Sequence, residues 1–146
     1  GGAADLEAEC RRYAEILQAH PIDVACAGIG ENGHIAFNDP HVADFQDART
    51  VKIVELDETC RWQQVHDGCF ASLERVPRQA LTLTVPAILR ASYIACVVPA
   101  RTKAKAVRTA LLGEVSPQCP ASSLRRHKNA VLFLDGESAS LLEGEV

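Results

Sequence analysis

No apolar run in these 146 residues approaches the roughly 20 needed to cross a bilayer as a helix. The opening stretch GGAADLEAEC has neither the basic nor the apolar region of a secretion signal, so a cytoplasmic setting is expected and no membrane partner. Positive charge is also sparse. Net charge is -4, the isoelectric point is about 5.7, and no basic block is longer than LRRHK at 124–128, which argues against a nucleic-acid backbone as partner. Six cysteines are present without a C-x-x-C pair, mostly in apolar surroundings such as VACAG and YIACVV, and read as buried free thiols. His20, His41, His66 and His127 stand singly on polar stretches with no zinc-like spacing, so no metal is expected. Internal repeats, low-complexity tracts and linkers are absent as well. With 47% hydrophobic residues, the chain reads as one domain over 1–146.

Helical and strand patterns alternate along it. DLEAECRRYAEILQAH has a capping Asp5 and a stripe formed by Leu6, Cys10, Tyr13 and Leu17. IDVACA, YIACVV and AVLFL are short continuous apolar runs, the pattern of strands buried on both faces of a parallel sheet. TVKIVEL and ALTLTV alternate and read as further strands, the second ended by Pro86, which opens PAILRAS. DETCRWQQVHDGCF is helix-compatible up to Gly68, and RTKAKAVRTALLG is a helix with Gly113 at its C-cap. The expected fold is a Rossmann-like layered α/β domain, a mostly parallel sheet flanked by helices.

Ligands in such folds sit beyond the carboxyl ends of strands, and AGIGENGHIAFNDP leaves the IDVACA strand at that end. Gly28, Gly30 and Gly33 either shape a turn or let backbone N–H groups approach a ligand. A nucleotide-binding glycine loop would open a long helix, whereas HIAFNDPH follows here and is broken by Pro40. His34, with Asp39 five residues on, is a candidate oriented acid/base, and a histidine satisfying loop carbonyls is the plainer alternative.

GIGENGHIAFNDP resembles the signature of the glucosamine-6-phosphate deaminases, also called isomerases. The similarity continues through RVPRQALTLTVPAIL, VVPARTKAKAVRTALLG and CPASSLRRHKNAVLFLD, over essentially the whole chain. The related 6-phosphogluconolactonases share the glycine loop but follow the histidine with a different run, and IAFND favours the deaminases. The resemblance implies conversion of glucosamine 6-phosphate and water to fructose 6-phosphate and ammonium without a cofactor. His34 then shuttles the ring-opening proton, Asp39 holds its ring, and Asn32 fills a position that is commonly aspartate.

Because an amide cannot offset an imidazolium, the relay should lean on Asp39, with Glu31 nearby. Lys103 matches the phosphate lysine, at the start of a helix and otherwise an ordinary solvated charge; Arg61 is the nearest substitute for a second phosphate contact. The similarity begins part-way into the family pattern. The chain is therefore expected to be a carboxyl-terminal portion, lacking the loop whose aspartate abstracts the C2 proton, with sheet edge and apolar surface left uncovered. A homo-oligomer or a complementing amino-terminal segment is the expected partner. A lactonase-like sugar-phosphate hydrolase and a non-catalytic sugar-phosphate-binding module are the alternative functions.

Overall fold

The computed structural model describes residues 4–142. Helix α1, Leu6–Ala19, starts where the Asp5 carboxylate accepts the Ala8 N–H at 2.9 Å, filling one of the N–H positions a helix start leaves open. Its inward stripe runs through Leu6, Cys10, Ala14 and Leu17, and Tyr13, expected on that stripe, is 40% exposed. Strand β1, Val24–Ala27, follows, then β2, Val51–Glu55, helix α2, Glu58–His66, and strand β3, Gln79–Leu83. Helix α3, Val85–Leu89, strand β4, Tyr93–Val98, helix α4, Ala104–Leu112, and strand β5, Ala130–Leu134, complete the order. Short 3-10 turns cover Leu73–Arg75, Arg101–Lys103 and Pro120–Arg126. Pro86 lies in the first turn of α3 behind the cap Thr84, and Gly113 caps α4 with its N–H on the Thr109 carbonyl, both as the sequence suggested. No helix among the described residues is long and apolar enough to cross a membrane.

The sheet is parallel in the order β1-β4-β5, which makes β1 an edge strand. TVKIVEL and ALTLTV do not join it. They pair with each other antiparallel, Val51 opposite Leu83 and Glu55 opposite Gln79, as a separate two-stranded unit beside α1. Alternation is what a sheet with unlike faces requires, whereas the parallel strands are the continuous apolar runs. The core lies under one sheet face, where Ile94, Cys96 and Val98 of β4 meet Val85, Ile88, Ala106, Val107 and Ala110 of α3 and α4.

The other face is bare. Val24, Tyr93, Val97, Val131 and Phe133 are each between 52% and 59% exposed, and the pairings Val24–Tyr93 and Val97–Phe133 place them in neighbouring rows. The expectation that these strands are buried on both faces therefore fails for this chain. The apolar residues are present and the covering layer is not among the described residues. Of the six cysteines, Cys10, Cys60, Cys96 and Cys119 are buried, whereas Cys26 and Cys69 are exposed, and all six are free.

Candidate active site

The register Ala27–Cys96 brings the carboxyl ends of β1 and β4 side by side, so the loops leaving both strands open onto one place. A cavity of about 690 Å³ lies there, and its lining includes Gly28, Gly30, His34, Ala100 and Lys103. Among the described residues, two non-glycine residues have positive φ, Ala36 at 52° and Ala100 at 81°, and both line this cavity. Such backbone costs about 1–3 kcal/mol per residue and gathers where geometry serves a site.

The loop shapes itself around the histidine. The Gly30 N–H donates to the His34 carbonyl at 2.9 Å, and the Gly33 N–H to the Gly30 carbonyl at 2.9 Å. These two donors are engaged inside the loop rather than offered to a ligand, contrary to one of the two sequence readings. Gly30 is needed for space, since a Cβ there would lie 2.1 Å from His34 Cε1. Gly33 is needed for conformation, with φ of 84° and Cys119 Sγ 2.9 Å from where a Cβ would stand. Gly28 meets neither demand, its nearest contact being Val97 O at an ordinary 3.5 Å.

His34 is buried except toward the cavity. Its Nδ1 lies 2.8 Å from Asn32 Oδ1 and 3.1 Å from Asp39 Oδ1. Two acceptors on one nitrogen place the proton on Nδ1 of the neutral ring, which leaves the Nε2 lone pair as the ring's base. Asp39 is fully buried. Burial works against its charge, but hydrogen bonds from His34, Asn32 and the Asp57 N–H outweigh that and hold its carboxyl below the usual range. Asn32 Nδ2 reaches Asp39 Oδ1 at 2.9 Å and Asp57 Oδ2 at 2.8 Å. The expected His34, Asn32 and Asp39 thus form one network. Glu31 stays outside it, its N–H on Gln63 Oε1 at 3.0 Å and its carboxylate 3.9 Å from His66 Nδ1.

Asp57 was not singled out by the sequence. The helix start it caps, with Oδ1 accepting the Cys60 N–H at 2.6 Å, is legible in DETC, but its reach across 25 residues to Asn32 is not. Asp67, at the end of α2, also lines the cavity and went unnoticed. Donor atoms of His34, Asp39 and Cys60, and of Asp39, His41 and Asp57, lie within 4.8 Å of one another, close enough to hold a metal ion. Their chemistry favours the hydrogen-bonded network. The Cys60 thiol is pushed up to about 12 by burial and by the Asp39 and Asp57 charges.

Lys103 lines the same cavity, and its Nζ is buried with no hydrogen-bond partner. The ammonium is enclosed, unlike the ordinary solvated charge that Lys103 would be without the family resemblance. A buried unpaired cation is costly and points to an anionic ligand. Arg61 is placed differently. Its Nη2 donates to the Leu73 and Val76 carbonyls at 2.7 and 3.2 Å, and the residue does not line the cavity. It clamps the turn after α2, while its Nε is buried without a hydrogen-bond partner.

A parallel α/β domain with an oriented histidine and an enclosed lysine around one cavity at its strand ends has the layout of a pocket suited to a small anion. Over residues 1–133 the chain matches the family of glucosamine-6-phosphate isomerases and 6-phosphogluconolactonases, and it belongs to that family. Among its relatives, the glucosamine-6-phosphate deaminase of Bacillus cereus (strain B4264) is 43% identical over 141 residues, covering 97% of this chain and 52% of that protein. The deaminase of Listeria monocytogenes serotype 4a (strain HCC23) is 41% identical over 142 residues, covering 97% and 58%. The chain thus spans about half the length of the curated relatives it matches. A solved monomeric glucosamine-6-phosphate deaminase superposes with a TM-score of 0.88 at 39% identity, covering 97% of this chain and 57% of that one. The 6-phosphogluconolactonase of Trypanosoma brucei, at 19% identity and a TM-score of 0.69, shares the fold.

Proposed function

We propose that this site performs the ring-opening step of glucosamine-6-phosphate deamination, in which glucosamine 6-phosphate and water become fructose 6-phosphate and ammonium. The observation that carries the reading is the pairing, in one cavity, of a histidine oriented through Nδ1 with an enclosed, unpartnered ammonium. Lys103 holds the phosphate. With the anion seated, His34 Nε2 carries a proton between the sugar's C1 hydroxyl and its ring oxygen. Asp39 offsets the imidazolium that forms between the two transfers, while Asn32 aligns the ring without adding charge. The similarity to deaminases at 41–43% identity favours an amino sugar phosphate as the substrate.

Isomerisation needs in addition a carboxylate at C2. Asp39 is committed to the network, and Asp67 is the carboxylate that lines the cavity among the described residues, already accepting from Gln63 Nε2 at 3.2 Å. We place the C2 base instead in the part of the relatives' length that this chain does not match, docked on the bare sheet face. Six free thiols suit a cytoplasmic, reducing setting. The test measures ammonium release from glucosamine 6-phosphate by the chain alone and after mixing with the unmatched portion of the Bacillus cereus deaminase. Activity only on mixing is expected. Activity of the chain alone that is lost in Asp67→Asn would move the base to Asp67, and 6-phosphogluconolactone hydrolysis without ammonium release would replace the deaminase reading.

A further inference from the structure

Asn32 stands between two carboxylates and beneath one histidine. Its Nδ2 donates to Asp39 Oδ1 at 2.9 Å and to Asp57 Oδ2 at 2.8 Å. Its Oδ1 accepts the His34 N–H at 3.0 Å and faces His34 Nδ1 at 2.8 Å. A primary amide has two N–H bonds and one oxygen with two lone pairs, so every hydrogen-bonding position is filled. Turned over, the amide would set its oxygen against two carboxylates and its N–H bonds against two donors. One orientation is therefore enforced. It is the orientation that keeps an acceptor against His34 Nδ1 and leaves Nε2 as the proton carrier.

Asp57 reaches the same network from a second direction. Its Oδ1 caps α2 through the Cys60 N–H, and its own N–H donates to Asp39 Oδ2 at 3.2 Å. The start of α2 is thus joined to both partners of the histidine. The charge count is as specific as the geometry. Two carboxylates, Asp39 and Asp57, share one neutral bridge whose two N–H bonds lie between them. A third carboxylate at position 32 would bring no proton to bridge the other two, and like charges this close force one of them to protonate. An acceptor missing at 57 would instead release one arm of the amide.

We propose that Asp57 is a positioning residue for His34, acting through Asn32, and that residues 32 and 57 form a charge-matched pair: an amide at 32 requires a carboxylate at 57, and a carboxylate at 32 excludes one. The inference rests on the assignment of His34 as proton carrier for its catalytic consequence, but the pairing itself is readable without substrate.

The experiment uses the whole chain at pH 7 and four forms: wild type, Asn32→Asp, Asp57→Ser, and the double variant. Serine caps a helix about as well as aspartate, so Asp57→Ser keeps the start of α2 and removes the acceptor for Asn32. Ring nitrogen chemical shifts of His34 report the tautomer, and thermal unfolding reports stability. In wild type a single tautomer protonated on Nδ1 is expected. Asp57→Ser should show a second tautomer. Each single variant should lose roughly 5 °C in Tm, the effect of one charge-assisted hydrogen bond in a domain of this size. The double variant should lose less than the two single losses added together, because Asp57→Ser removes one of the three carboxylates that Asn32→Asp crowds together and the serine hydroxyl can donate to the carboxylate at 32.

Additive losses in the double variant would overturn the pairing, as would a wild-type His34 protonated on Nε2 or an unchanged tautomer in Asp57→Ser. If a single variant does not fold, a double variant that does fold supports the pair, and one that does not refutes it. In complemented, active enzyme, Asp57→Ser should lower kcat about tenfold with KM unchanged, and the double variant should lie above the product of the two single effects. A cycle that compensates in stability and tautomer while no form releases ammonium would leave the pair standing and the deaminase reading refuted.

Discussion

Replacing Gly30 by alanine tests the construction of the loop at a single methyl group. The backbone of Gly30 lies outside the left-handed region, so alanine is conformationally acceptable there. Its Cβ, however, would stand 2.1 Å from His34 Cε1 and 2.3 Å from both ring nitrogens, far inside any real carbon contact. The obstacle is a side chain, so the ring will move rather than the loop backbone. In moving it gives up Asn32 Oδ1 and Asp39 Oδ1. A hydrogen bond to a charged group contributes about 1.5–3 kcal/mol. Overpacking costs about 1–3 kcal/mol, but the same ring movement relieves it, so the two do not add. Restricting the unfolded chain returns about 0.4–1 kcal/mol. The net loss is about 1–2.5 kcal/mol, or roughly 3–8 °C in Tm for a domain of this size.

The assay is thermal unfolding by circular dichroism together with the ring nitrogen shifts of His34. Gly28→Ala is the control: its Cβ meets Val97 O at 3.5 Å and should shift stability by no more than about 0.5 kcal/mol. Gly33→Ala should cost about 1–2 kcal/mol through its φ of 84°, while leaving the His34 signals in place. If Gly30→Ala unfolds with Gly28→Ala and its His34 shifts match wild type, the loop is not built around the ring.

Three further outcomes follow from the geometry. Lys103→Met, which removes a buried unpartnered ammonium, should raise Tm by the equivalent of about 1 kcal/mol. It should also abolish the stabilisation expected of the proposed substrate, glucosamine 6-phosphate, in the wild type, about 2.7 kcal/mol at a hundredfold excess over Kd; equal ligand shifts in both proteins would remove Lys103 from the site. Asp47→Ala should be far more damaging, about 3–5 kcal/mol by denaturant unfolding, because buried Lys52 is paired with Asp47 at 3.0 Å and would keep only the Val42 carbonyl. The carboxyl of Asp39 is held below its unfolded value, so its contribution is fully present above about pH 4 and is lost as pH falls through the lower folded value. Asp47 is lowered as well, chiefly by its hydrogen bond from Arg49 against the cost of burial, and adds to the same arm. A pH titration of stability in Asp39→Asn should therefore show a shallower acid limb than wild type, and an identical limb would contradict the buried charge.

Much of this protein was determined by its sequence alone. Local rules placed Asp5 and Pro86 at helix starts and Gly113 at a helix end, because such signals act between near neighbours. Continuous apolar runs marked β1, β4 and β5, and the GIGENGHIAFNDP stretch marked His34 and Asp39, to which the resemblance to the deaminases added Asn32; the three meet within eight residues. What lay between distant segments was decided only by tertiary structure. Pairing direction is a long-range choice, and it took β2 and β3 out of the parallel sheet. Lys103 was marked by the family resemblance, but that its ammonium is enclosed was settled only by the closed chain, while Arg61 turned to the carbonyls of Leu73 and Val76. Asp57 joined the histidine network across 25 residues, and no local pattern reports such a contact. Sequence periodicity says which side chains prefer to be buried; only the assembled layers say which of them are, and here they leave one apolar face of the sheet in the open.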